Sequence, residues 1–237
     1  MSSPTPTPAT GTRTGLVVAV DGTSGSGKSS TSRGVADRLG LAYLDTGAMF
    51  RAMTWWLLRE GVDVHDTAAV AARCAEPEID SGTDPLHPAI AVDGTDVAEA
   101  IRGDDVNAAV SPVSVVPEVR SRLLQLQRDA IDRATTGPGI VVEGRDIGSV
   151  VAPDAPVKVY LSADPAARAA RRSAEQGGAD VAATQESLLA RDRIDSGRAT
   201  APLVMADGAV HIDTTGHTLD EVIGLVVGLA EAAEADT

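Results

Sequence analysis

The chain has 237 residues, a formal net charge of −14 and a single cysteine. That length fits one α/β domain with a small insertion, and the acidic balance argues against duplex nucleic acid or an anionic membrane as a partner. Aromatic residues make up only 2% of the chain, so no base-stacking platform for single strands is expected. Cys74 has no second cysteine to pair with. With no secretory signal and no apolar run near ~20 residues, the sequence reads as that of a cytoplasmic protein.

Residues 1–14 are rich in Ser, Thr and Pro without apolar periodicity, which predicts a disordered tail ahead of a single domain at 15–237. The run Leu16-Val17-Val18-Ala19-Val20 predicts a buried parallel strand. It leads into Gly22-Thr23-Ser24-Gly25-Ser26-Gly27-Lys28-Ser29, which matches G-x-x-x-x-G-K-[ST], and a helix over 29–39 closed by Gly40 follows. Strand, glycine-rich loop and helix are the context this motif needs. The glycines allow successive N–H groups to converge on phosphate oxygens at the helix N-terminus, where Ser29 and Ser30 stand. Lys28 adds a positive charge for the β- and γ-phosphates, and the Ser29 hydroxyl suits Mg²⁺. The motif therefore predicts a nucleoside triphosphate as ligand.

A short strand over 41–44 ends at Asp45, and a helix with Thr46 as its N-cap is expected to run from there to Gly61. Arg51 falls in the first turns after that strand end, where open parallel sheets bind ligands. Residues 62–105 carry turn signals around the alternating stretch Ala89-Ile90-Ala91-Val92, and predict a small antiparallel insertion with a hairpin at Asp93-Gly94. Val113, Val116, Val119, Leu123, Leu126 and Ala130 then recur at helical spacing, with Pro112 at the expected helix start and Ser111 as its cap. Arg120 and Arg128 lie off this stripe. Two buried strands, 140–142 and 157–161, flank Glu143-Gly144-Arg145-Asp146-Ile147-Gly148.

Two helical segments follow, 165–176 and 182–193, separated by Gly177-Gly178. The first carries Arg168, Arg171 and Arg172 at spacings of three and four, hence on one face. The second carries Arg191, with Asp195 and Arg198 just beyond. An arginine-dense pair of helices with a glycine break predicts a lid at 165–198 hinged at the two glycines. A strand over 210–213 and a helix over 219–233 close the chain. His65, His87, His211 and His217 form no ligand spacing and read as surface or structural residues. Five apolar strands alternating with helices predict a doubly wound parallel α/β sheet.

Four separated stretches together resemble the bacterial-type cytidylate kinases. They are the phosphate loop from Asp21 to Ser29; Leu44-Asp45-Thr46-Gly47-Ala48-Met49-Phe50-Arg51; Glu143-Gly144-Arg145-Asp146-Ile147-Gly148; and Arg191 through Asp195 to Arg198-Ala199-Thr200-Ala201-Pro202-Leu203. The resemblance implies a P-loop kinase fold: a five-stranded parallel sheet flanked by helices, with a small β-rich insertion that binds the monophosphate and a helical lid. It implies transfer of the ATP γ-phosphoryl group to CMP or dCMP with Mg²⁺, by a monomer; the acidic balance above speaks against a nucleic-acid or membrane partner.

Residue by residue, the resemblance implies that Thr46 and Arg51 hold the acceptor nucleotide and that Arg145 and Arg198 hold its phosphate. Ser111, Arg120 and Asp146 match positions that read cytosine, and Arg191 and Asp195 match positions facing the sugar. Lys28, Arg168 and Arg172 are the expected donor-side catalytic cations, with Asp21 and Asp45 as candidates for Mg²⁺-bound water. Phe50 stands where the family usually has tyrosine, Glu143 where aspartate is common, and Ser149 where threonine is common. Three other readings of the phosphate loop are a kinase for another small molecule, a binding module that has lost its catalytic residues, and a GTPase-like switch. The last needs an Asn-Lys-x-Asp segment, which the sequence lacks.

Overall fold

Seven consecutive residues, Leu16–Gly22, form β1, and every one of them is buried. The structure, a computed structural model, describes residues 15–175, 177–178, 180–198 and 200–235; the tail expected at 1–14 lies outside them. The apolar run of β1 is continuous because both of its faces are covered. Val17 and Ala19 pack into one core cluster, whereas Leu16, Val18 and Val20 pack into the other.

Helix α1 (Lys28–Leu39) follows the phosphate loop and stops at Gly40, whose left-handed backbone lets its N–H reach the carbonyls of Ala36 and Asp37. Strand β2 (Ala42–Asp45) leads directly into α2 (Thr46–Arg59). The N-cap of α2 is Asp45, which accepts from the Ala48 N–H, and not Thr46 as expected. Thr46 is the first helical residue, and its hydroxyl donates to the Glu143 carbonyl at 2.7 Å. A carboxylate outcompetes a hydroxyl as acceptor for first-turn N–H groups.

Residues 62–105 hold α3 (Thr67–Arg73) and the strands β3 (Ile79–Ser81), β4 (Ile90–Val92) and β5 (Thr95–Asp96), which form an antiparallel sheet in that order. The β4–β5 turn is Asp93-Gly94, both at positive φ (50° and 72°), the geometry of a two-residue hairpin. Sequence reading missed α3, whose start is marked by the Asp66 carboxylate accepting from the N–H groups of Ala68 and Ala69.

The expected single helix around Pro112 is two. Helix α4 (Asp104–Ser114) contains Pro112 in its last turn, and α5 (Pro117–Thr135) starts at a second proline. Val116, preceding Pro117, is held extended at φ −71°, ψ 121°, because the proline ring excludes the helical conformation from the residue before it. Ser111 is therefore an interior residue of α4 and caps nothing.

Strands β6 (Gly139–Glu143) and β7 (Val157–Ser162), helices α6 (Pro165–Glu175) and α7 (Val181–Ser196), strand β8 (Val210–Asp213) and helix α8 (Leu219–Ala235) complete the chain. Among the described residues the main sheet has five strands in the order β2-β6-β1-β7-β8, every neighbouring pair parallel. One face packs on α2 and α5 through Leu44, Met53, Leu57, Leu123 and Val142; the other packs on α1 and α8 through Val18, Val35, Val141 and Val226. The chain passes to one side of β1 first and to the other later, so the crevice beyond the carboxyl ends of β1, β2 and β6 is where this topology gathers loops for a ligand.

Candidate active site

The loops after β1, β2 and β6 open into one cleft of about 980 Å³, whose far walls are α4, α6 and α7. Of the expected phosphate-loop residues, Ser24, Gly25, Gly27, Lys28, Ser29 and Ser30 line it. Gly22, Thr23 and Ser26 form the back of the loop. Gly22 is required there: a Cβ on it would lie 2.0 Å from the Leu161 carbonyl oxygen of the adjacent strand. Gly25 and Gly27 hold the turn at φ 76° and 87°. The Lys28 ammonium is buried and donates to the Thr23 carbonyl at 2.7 Å, folding over the loop it belongs to. Burial, and then the nearby Arg145 guanidinium, push its pKa down.

Ser29 donates to Glu143 Oε2 at 3.0 Å, and Glu143 also takes the Tyr43 hydroxyl on Oε1. Sequence reading gave Glu143 no role. Parallel pairing sets it opposite Val20 of β1 and Asp45 of β2, at the mouth of the phosphate loop. Burial, then the Asp45 carboxylate, push its pKa up. Asp45 lines the cleft while capping α2.

Asp21, expected near Mg²⁺-bound water, does not line the cleft. Its two oxygens accept from the Ile147 and Gly148 N–H groups, each at 2.8 Å, which fixes the single π-helical turn Ile147–Val151 behind the cleft. Burial pushes its carboxyl up to about 6 despite those two bonds. A carboxyl with a folded pKa above its ordinary 3.8 stabilises the fold fully below 3.8 and loses that contribution as pH rises through about 6. Relative to an Asp21→Asn variant, the wild type should therefore lose about 3 kcal/mol of unfolding free energy between roughly pH 4 and pH 6. Denaturant titrations of both proteins check this, and parallel pH curves would contradict it.

At the opposite end of the cleft, Asp146 is paired with Arg120, both about 10% exposed at the side chain. Arg120 also donates to the Ser114 carbonyl at 3.1 Å, and its guanidinium lies over the Phe50 ring at 5.5 Å. The phenylalanine found in place of tyrosine thus serves as a face for this cation. Burial pushes the Asp146 pKa up, with Arg120 opposing. Asp146, Ser111 and Ser114 line the cleft; Arg120 stands behind Asp146. Arg51 lines it as well, held by the Ile101 carbonyl at 3.1 Å and the Asn107 side-chain oxygen at 2.7 Å.

The positive charge of this acidic protein is concentrated here. Arg51 is pushed down to about 9 by burial and then by Arg191 and Arg172, and Arg191 to about 10 by burial and then by Arg145. Like charges forced together in a cleft mark a place built for an anion. Asp195 of α7 bridges two of these cations, accepting from Arg145 Nε at 2.9 Å and from Arg198. Arg172 lines the cleft. Arg168 does not: it is 4% exposed and sits behind the loop, donating to the Ser24 carbonyl at 2.9 Å and pairing with Asp192. Asp192, unnoticed in the sequence, also accepts from the Ser24 N–H at 3.0 Å. Thr46 is likewise buried outside the cleft wall, under Gly144.

The parallel sheet, with its glycine loop after β1 and a wall of arginines facing it, defines a P-loop kinase. Comparison with known proteins then narrows the class. The family model described as cytidylate kinase matches residues 18–232. A protein named cytidylate kinase from Streptomyces avermitilis is 57% identical over 220 residues, 93% of this chain and 94% of that one. Those of Nocardia farcinica and Corynebacterium glutamicum, under the same name, are 52% and 44% identical, covering 89% and 92% of this chain and 91% and 96% of theirs. The chain belongs to the cytidylate kinase family.

Proposed function

We propose that this protein transfers the γ-phosphoryl group of ATP to CMP or dCMP, giving ADP and CDP or dCDP. The observation that carries the reading is the buried Arg120–Asp146 pair at the far end of the cleft that begins at the phosphate loop. A carboxylate beside a guanidinium presents an acceptor next to donors. Cytosine presents the complement, an N4 amino donor next to the N3 and O2 acceptors. Uracil would turn its O4 lone pairs toward Asp146 and its N3–H toward Arg120.

The acceptor phosphate is already a nucleophile at neutral pH, since its second pKa is near 6. The chain needs no general base, only in-line positioning and neutralisation of charge. Lys28 and the phosphate-loop N–H groups hold the donor phosphates, with Arg172 closing over them. Arg51, Arg145 and Arg198 hold the acceptor phosphate, and Arg191 and Asp195 face the sugar. In this reading Asp195 releases Arg145 and Arg198 when the nucleotide phosphate arrives. Arg168, buried behind the loop, acts by fixing Ser24 rather than by touching phosphate.

The residues at the loop mouth fit Mg²⁺. Ser29 and Glu143 are hard oxygen donors on the cleft wall, and among the described residues no group of three His, Cys, Asp or Glu could cage a metal. Such a site suits an ion that draws its other ligands from phosphate and water. Bound with ATP, the ion would neutralise charge on the β- and γ-phosphates.

Residues 62–105 are proposed as the acceptor-nucleotide insertion and 165–198 as a lid that excludes water as a competing nucleophile. The fold around them is proposed to work as a cytoplasmic monomer. Among the described residues no helix is long and apolar enough to cross a membrane. The test is product analysis: ATP, Mg²⁺ and CMP incubated with the protein should yield ADP and CDP in equal amounts. ADP formed without CDP would show hydrolysis instead and refute the reading.

A further inference from the structure

Tyr43 lies in the middle of β2, an edge strand, and is 2% exposed within the apolar cluster shared by α1 and α8. A buried phenol hydroxyl needs a partner. Its partner is Glu143 Oε1, while Oε2 of the same carboxylate takes the hydroxyl proton of Ser29. Tyr43 pairs in register with Val141, two residues before Glu143, so tyrosine and glutamate are diagonal neighbours on one face of the sheet. Ser29 and Glu143 line the cleft; Tyr43 does not.

This arrangement has a directional consequence. A serine hydroxyl that gives its proton to Glu143 leaves its lone pairs free for a cation. Glu143 holds that role only if its side chain stays in one place. With its flexible two-methylene stem, it needs a second anchor. Tyr43 is that anchor, and the ring is itself held by core packing and by its backbone N–H bond to the Thr83 carbonyl at 2.9 Å.

We propose that Tyr43 is a positioning residue for the metal end of the donor site: it fixes Glu143 so that Ser29 offers its oxygen to the Mg²⁺ that accompanies ATP. The inference rests on the phosphoryl-transfer reading above, and it adds a residue outside the cleft that acts through another.

The test is Mn²⁺ titration followed by electron paramagnetic resonance, with a non-hydrolysable ATP analogue bound to wild type and to Tyr43→Phe. The change removes one oxygen and keeps the ring, and thermal melts confirm the fold. Loss of an outer partner of a metal-binding group typically weakens metal affinity 10–100-fold, so Tyr43→Phe is expected to weaken Mn²⁺ binding about tenfold. Analogue affinity in EDTA and the KM for CMP should stay within about twofold. In a Glu143→Gln background the same change should have no further effect on Mn²⁺. Unchanged Mn²⁺ affinity in Tyr43→Phe, an equal loss of metal-free analogue binding, or additive losses in the double variant would each overturn the role of Tyr43 alone. A wild type that binds the analogue no better with Mn²⁺ than in EDTA would overturn this inference together with the donor-site reading.

Discussion

Asp146→Asn is expected to collapse discrimination between cytidine and uridine monophosphates while leaving the KM for ATP unchanged. The carboxylate can only accept hydrogen bonds, so it welcomes the cytosine amino group and repels the uracil O4. The amide can do either, accepting through oxygen or donating through nitrogen. Sites built on polar complementarity reject a mismatched analogue by roughly 10⁴, and most of that factor should vanish, through a fall for CMP and a rise for UMP in kcat/KM. Asp146→Ala should also lose selectivity, but it strands the Arg120 guanidinium, which is buried against Ser114 and Phe50. Leaving one partner of a buried pair alone costs about 3–5 kcal/mol, so the alanine variant should also melt earlier. Ratios of kcat/KM for CMP and UMP in the asparagine variant are the measurement. An unchanged ratio would remove Asp146 from base recognition.

Lys28→Ala is expected to lower kcat by on the order of 10³, the scale for deleting a preorganised charge that meets the transition state. The KM for CMP should hardly move, because the acceptor end is built from other elements. Stability should not fall with activity. Lys28 is 7% exposed, and burial disfavours its charged form, so its removal relieves a desolvation cost and forfeits one bond to Thr23. Lys28→Arg should not rescue, because a planar fork neither fits that fold-back onto the loop nor acts as a point charge. Single-turnover phosphoryl transfer and thermal melts separate the two effects. A variant with near-normal turnover, or one whose loss tracks unfolding, would contradict the role given to Lys28.

What the sequence made legible was what local chemistry decides. The β1 run, the phosphate loop, the Gly40 stop and the Asp93-Gly94 hairpin each follow from residues adjacent in the chain. The break between α4 and α5 was legible in principle, since Pro117 forces Val116 out of the helix, but the apolar spacing that runs across it masked the signal. Glu143 could not be valued without knowing that β6 lies beside β1, because only that pairing brings its carboxylate to Ser29. The same holds for Asp192, which reaches the Ser24 N–H across 168 residues of chain. Arg168, Arg171 and Arg172 share a helix and were read as one face. Packing separates one of them: Arg168 turns under the loop, whereas Arg171, bonded to Thr214, and Arg172 both line the cleft. Spacing fixes direction around a helix axis; it does not say what stands on each side.

The most direct test of the central claim is a coupled assay of ADP release with ATP, Mg²⁺ and each nucleoside monophosphate in turn. The account predicts that CMP and dCMP exceed UMP, AMP and GMP in kcat/KM by orders of magnitude. Equal use of UMP, or turnover with none of the five while ATP still binds, would contradict it.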